Sequence, residues 1–171
     1  MSDLEAYDYE LPKELIAQQP ARLRTDARLM VVDRARGTIE DSHIRDLPEL
    51  LRPGDCLVLN NTRVVPARLI GFRTRTEGRW EGLFLAAEEH GIWRLLSKTR
   101  GRLEPGETIT LCDRQGRPDI RLAALKRLER GEWLMMPEQP EEAFEVLDRV
   151  GRVPLPKYIR EGEMLVDDVE R

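Results

Sequence analysis

Asp55-Cys56-Leu57-Val58-Leu59-Asn60-Asn61-Thr62-Arg63-Val64-Val65-Pro66-Ala67-Arg68-Leu69-Ile70-Gly71 holds two apolar runs separated by four consecutive polar residues. The first run, rich in Val and Leu, predicts a buried strand, with Cys56 as a small hydrophobe inside it. The second contains Pro66, which cannot donate to a strand ladder. The interruption leaves two readings open. Asn60, Asn61, Thr62 and Arg63 at the end of a rigid strand would offer amide, hydroxyl and guanidinium donors to a polar or anionic ligand. The same residue types also make an ordinary turn between strands.

Upstream, Tyr7 to Leu11 reads as extended, and Pro12 opens a short helix through Ile16 that Pro20 stops. Leu29 to Asp33 predicts a buried strand, Arg34-Ala35-Arg36-Gly37 a turn, and Thr38 to Asp41 its partner, giving a hairpin. A short helix is expected near Asp46, with Pro48 in its first turn and His43 at its entry. Arg52-Pro53-Gly54-Asp55 is echoed by Glu104-Pro105-Gly106-Glu107. Pro followed by Gly fits a type II turn, and each copy is expected to feed a strand.

Downstream, strands are expected at Ala67–Arg73, Trp80–Ala87, Ile92–Ser97, Thr108–Leu111, Ile120–Leu125 and Glu132–Met136, with hairpin tips at Glu88–Gly91 and Asp113–Gly116. Short alternating runs at this spacing predict a small antiparallel barrel, in which Trp80 and Trp93 belong to the core. A helix follows over Pro140–Asp148, then a stiff, Pro-punctuated segment over Gly151–Arg160. Met164 to Arg171 reads as the beginning of a helix that stops before presenting an apolar face.

The chain has 171 residues, 40% hydrophobic and 35% charged, with a formal net charge of -4. That excludes a generally basic nucleic-acid binder but not a local anion-binding face. Between Asn61 and Arg102, nine basic residues stand against four acidic ones. Arg73, Arg75, Arg79, Lys98 and Arg100 are the candidates for contacting an RNA backbone; alternation that merely turns arginines outward is the competing reading. Two cysteines make neither a disulfide framework nor a zinc spacing, so a reducing, cytoplasmic setting is expected. The acidic N-terminus is unlike a signal peptide, and no apolar run approaches the roughly 20 residues of a membrane span. Gly101 and Gly106 have phosphate-loop spacing, but Glu107 stands where lysine is needed. Two histidines and three serines, none in G-x-S-x-G, argue against a triad.

Tyr9-Glu10-Leu11-Pro12, Leu15-Ile16-Ala17-Gln18, Arg28 to Arg34, Asp46-Leu47-Pro48, Leu51 to Asp55, Asn60 to Leu69 and Pro154-Leu155-Pro156-Lys157-Tyr158-Ile159 occur in this order. They resemble the S-adenosylmethionine:tRNA ribosyltransferase-isomerase family of queuosine biosynthesis. The resemblance implies a mixed α/β fold with an inserted small antiparallel β-barrel: residues 1–66 begin the α/β domain, 67–149 form the barrel and 150–171 return to it. It implies S-adenosylmethionine as ribosyl donor with no metal, and a tRNA partner carrying 7-aminomethyl-7-deazaguanine (preQ1) at the wobble position. Asn60, Asn61, Thr62, Arg63, Arg68, Pro154 and Tyr158 become the substrate-binding candidates. No catalytic residue or general base is nominated. Family members are longer, with a second-half motif resembling Ala-Pro-Thr-Ala-Gly-Leu-His-Phe that this sequence lacks, so a truncated, self-associating chain is expected. Glu77 to Gly82 also departs from the family's glycine- and valine-rich hairpin. The competing reading is a non-catalytic RNA-binding module built on the barrel.

Overall fold

In strand β4 (Arg79–Ala87), Trp80, Gly82 and Phe84 are buried while Arg79 and Leu85 are exposed. This two-residue period is what a strand with one face on a core produces. The computed structural model describes residues 4–162. They form two compact units: one of residues up to Thr62 together with Tyr158–Arg160, the other of Arg63–Lys157 and the residues from Glu161.

In the second unit, β3 (Arg68–Arg73), β4, β5 (Trp93–Thr99), β6 (Thr108–Cys112), β7 (Pro118–Arg127) and β8 (Glu132–Pro137) close a six-stranded antiparallel barrel in the order β3-β4-β5-β8-β7-β6. Trp80, Trp93, Leu95, Ile109, Leu111, Leu122, Trp133 and Met135 fill it. Each such side chain contributes about 1.5 to 3 kcal/mol on burial. The Trp80 indole N–H donates to Ser97 Oγ at 2.8 Å, so the polar edge of a buried ring is satisfied. Closure between β3 and β6 brings Gly71 opposite Leu111, where a Cβ would stand 2.2 Å from the Thr110 carbonyl oxygen; only glycine fits.

A helix over Ala143–Val150 buries Ala143, Val146, Leu147 and Val150, the spacing of one helical face. Phe144 meets Phe84 edge-on at 6.3 Å, and Arg149 bonds Asp119 at 2.8 Å and Glu141 at 3.0 Å. The helix thus packs at the end of the barrel where β7 begins. The predicted barrel, both tryptophans and both hairpin tips are present, and the helix lies two to three residues later than expected.

The first unit holds a hairpin of β1 (Arg28–Asp33) and β2 (Thr38–His43), registered Arg28 to His43 and Asp33 to Thr38. Asp33 Oδ1 accepts from the Ala35 and Arg36 N–H groups and shapes the predicted turn. β1 is not the buried strand expected: Met30 and Val32 are exposed, since a two-stranded sheet covers one face at most. Asp46 accepts from Ser42 Oγ and the His43 N–H, and a single helical turn follows over Leu47–Leu50 with Pro48 at its start. Those bonds, Ser42 first, hold the Asp46 carboxyl below the usual aspartate range. Lys13–Leu15 forms one 3-10 turn instead of the longer helix expected.

The largest correction concerns Cys56–Leu59. No strand forms there, Cys56 is exposed, and Val58 and Leu59 are 87% and 74% exposed. An apolar run becomes a buried strand only when a neighbour satisfies its backbone, and no described residue pairs with this one. Gly54 and Gly106 both take positive φ in the Pro-Gly turns, but only the second turn feeds a strand. Of the expected mixed α/β fold with an inserted barrel, the barrel is present, while the described residues, mostly strand outside turns and coil, do not confirm the α/β part. The helix start expected over 164–171 lies outside the described residues.

Candidate functional site

β6 pairs with β3 only from Gly71 onward, so the start of β3 has a free edge. Arg152 fills it: the Arg68 N–H donates to the Arg152 carbonyl at 3.0 Å, and the Arg152 N–H donates back at 2.8 Å. The segment after Arg152 then runs beside the outer faces of β4 and β5, leaving a groove of about 250 Å³ lined by Arg68, Glu81, Leu83, Leu96, Lys98, Pro154 and Leu155. Leucines and Pro154 make its apolar surface. Arg68, Lys98 and Glu81 supply its charge, two positive against one negative.

Arg68 is preorganised in this groove. Its Nη2 lies 3.4 Å from Glu81 Oε2, and its Nη1 donates to the Gly162 carbonyl. Glu81 also accepts from Arg79 at 2.7 Å. A guanidinium with both ends held presents its remaining donors at a fixed angle, as recognition of a carboxylate or phosphate requires.

Of the substrate-binding candidates, Arg68 and Pro154 are brought together in the groove. Asn60 Oδ1 accepts from the Thr62 N–H at 2.9 Å, a local turn, and Asn61, Thr62 and Arg63 are exposed along coil. Tyr158 is exposed, and its carbonyl accepts from Gln18 Nε2 at 3.0 Å. Gln18 also accepts from the Arg160 N–H through Oε1, and its carbonyl accepts from Arg160 Nη1, each at 2.7 Å. Gln18 bonds the Tyr158–Arg160 segment and Glu81 bonds Arg68, contacts that no spacing in the sequence announced.

The five RNA-contact candidates differ in their surroundings. Arg73 bonds Glu107 through Nε at 3.0 Å and Nη2 at 2.8 Å, with both side chains only 14–15% exposed. The Arg73 bonds hold the Glu107 carboxyl below the usual glutamate range, against burial and with help from the Glu104 N–H. Arg79 pairs with Glu81. Arg75, Lys98 and Arg100 are exposed and make no ion pair among the described residues. No cluster of three His, Cys, Asp or Glu able to hold a metal ion occurs among the described residues, and none of their helices is long and apolar enough to cross a membrane.

A family profile described as queuosine biosynthesis protein matches residues 4–171. The S-adenosylmethionine:tRNA ribosyltransferase-isomerase of Desulfitobacterium hafniense is 43% identical over 158 residues, covering 92% of this chain and 45% of the relative. The protein of the same name from Symbiobacterium thermophilum is 44% identical over 159 residues, covering 92% and 45%. A crystal structure of an S-adenosylmethionine tRNA ribosyltransferase from Thermotoga maritima aligns with a TM-score of 0.40 at 34% identity, covering 90% of this chain and 52% of that one. The chain spans about half the length of the curated relatives it matches. With the profile running from residue 4 to residue 171, the chain belongs to the queuosine biosynthesis protein family.

Proposed function

We propose that this chain is part of an S-adenosylmethionine:tRNA ribosyltransferase-isomerase, with residues 1–66 and 150–171 belonging to an α/β domain and the barrel of 67–149 inserted between them. The observation that carries the reading is the 38–44% identity to relatives of that name along more than nine-tenths of the chain. The enzyme acts in the cytoplasm. It moves the ribosyl unit of S-adenosylmethionine to the aminomethyl group of preQ1 at the wobble position of tRNA and rearranges it to the epoxycyclopentane of epoxyqueuosine, releasing adenine and methionine.

The groove beside β4 and β5 suits part of such a substrate. Its apolar wall would shelter a sugar or base, and Arg68 and Lys98 would meet a carboxylate or phosphate. Arg63 adds an exposed guanidinium beside Asn60, Asn61 and Thr62. A second reading, an RNA-binding module without catalysis, draws on the exposed cations Arg75, Lys98 and Arg100, which make no ion pair among the described residues.

The test is a chimera in which these 171 residues replace the corresponding half of the Desulfitobacterium relative, assayed for adenine release from S-adenosylmethionine with preQ1-containing tRNA. Activity is expected, and Arg63→Ala is expected to lower it at least tenfold, since a charge-assisted contact is worth about 1.5 to 3 kcal/mol. A chimera that melts cooperatively, binds tRNA and releases no adenine would overturn the enzyme reading in favour of the module. Unchanged kinetics in the Arg63 variant would remove that residue from the site.

A further inference from the structure

Because every strand of the barrel runs antiparallel to its neighbours, three loops meet at one end: 74–78 after β3, 100–107 after β5 and 128–131 after β7. The helix over Ala143–Val150 packs toward the other end. The cations around the three loops fall into two groups. Arg73, Arg79 and Arg102 are paired with Glu107, Glu81 and Glu104. Arg75, Lys98, Arg100, Lys126, Arg127 and Arg130 have no carboxylate at ion-pair distance among the described residues, and all six are exposed.

Half of the second group lies on the β7–β8 hairpin, far in sequence from the basic stretch before Arg102. An open concavity of about 660 Å³ runs along this hairpin, lined by Lys126, Arg127 and Arg130 with Leu128, Glu129 and Glu132. Another, of about 250 Å³, opens among Lys98, Arg102 and Arg127. Arg127 borders both concavities, which lie on either side of it at the same end of the barrel. Arg130 sits at φ +53 at the hairpin tip, a left-handed conformation that glycine adopts at less cost and that Glu77 and His90 also adopt at their turns.

We infer that the β7–β8 hairpin is an RNA-binding arm in which Lys126, Arg127 and Arg130 contact backbone phosphates, continuing the surface of Arg75, Lys98 and Arg100. Cations spread over three loops around two neighbouring concavities suit a phosphate chain. A protein partner would need an apolar anchor, and none of the large exposed hydrophobic side chains among the described residues falls within these three loops. The inference takes the identity of the RNA, a tRNA, from the function proposed above, but the phosphate chemistry stands without it.

The test measures binding of a labelled, unmodified tRNA transcript to the 171-residue chain between about 50 and 200 mM salt. Relative to the parent, K126A/R127A/R130A should bind at least tenfold more weakly, with a salt dependence flatter by about two to three units. Arg130→Gly separates contact from folding: it should melt at a higher temperature than the parent yet bind tRNA more weakly. Parent-like affinity and salt slope in the triple variant would overturn the inference, as would a preference for polyglutamate over tRNA at equal charge. A parent chain that binds no tRNA would also overturn it, while adenine release by the chimera would still uphold the enzyme reading. Hairpin-dependent binding with a silent chimera would do the reverse.

Discussion

Arg73 and Arg75 lie two positions apart and look alike in sequence, but their surroundings assign them different work. Arg73 is held bidentately by Glu107 in a site both residues shield, so we assign it to joining the β3–β4 and β5–β6 loops. Arg75 stays exposed and open to a phosphate. The pair makes a pH prediction. Because the Glu107 carboxyl titrates below its unfolded value, its stabilisation is complete above the ordinary glutamate range, near pH 4.3, and is lost as pH falls through the lower folded value. Glu107→Gln should therefore cost about 2 kcal/mol at neutral pH, and its deficit relative to the parent should shrink below about pH 4. Parallel denaturation curves at pH 7 and pH 3.5 check this, and a deficit independent of pH would count against the ion pair.

The elements of the barrel unit stand on packing that a single truncation can probe. In the helix over Ala143–Val150, Leu147 is fully buried between Val146 and Val150 and belongs to the same apolar cluster as the barrel interior. Leu147→Ala should cost about 2 to 5 kcal/mol in urea denaturation of the unit. A change below about 0.5 kcal/mol, as at a surface position, would mean that the helix is not part of the cooperative core. The β1–β2 hairpin is built differently. Its two strands leave Met30, Val32 and Ile39 exposed and only half-bury Leu29 and Val31, so its stability rests more on its turn and on cross-strand pairs such as Val32 with Ile39 than on a core.

At the scale of the whole molecule, the exposed run Leu57-Val58-Leu59 is apolar surface of the kind that drives association. The proposed reaction must hold a sulfonium donor and a tRNA base together away from water, and such sites generally need walls from more than one element. The 171-residue chain alone is therefore expected to self-associate and to release no adenine from S-adenosylmethionine and preQ1-containing tRNA. Light scattering and an adenine assay check both. Adenine release at the rate of a full-length relative would show that these residues hold every catalytic group.

Sequence by itself determined what depends on local chemistry. The alternation around Trp80 and Trp93, the Pro-Gly turn at Gly106 and the Asp33 turn each sit within a few residues, where dihedral preference and side-chain period decide the outcome. It also carried the family, through motifs read in order along the chain. Tertiary structure alone decided what depends on distant partners. Leu57 to Leu59 had strand composition but found no strand to pair with among the described residues, so its pattern did not become structure. Arg73 and Glu107 are 34 residues apart, and Arg68 and Gly162 are 94, so no spacing could show that those charges are already engaged. Lys126, Arg127 and Arg130 joined the basic end only because closing the barrel paired β8 with β5 and brought the end of β7 along with it, a neighbourhood created by sheet topology and not by order along the chain.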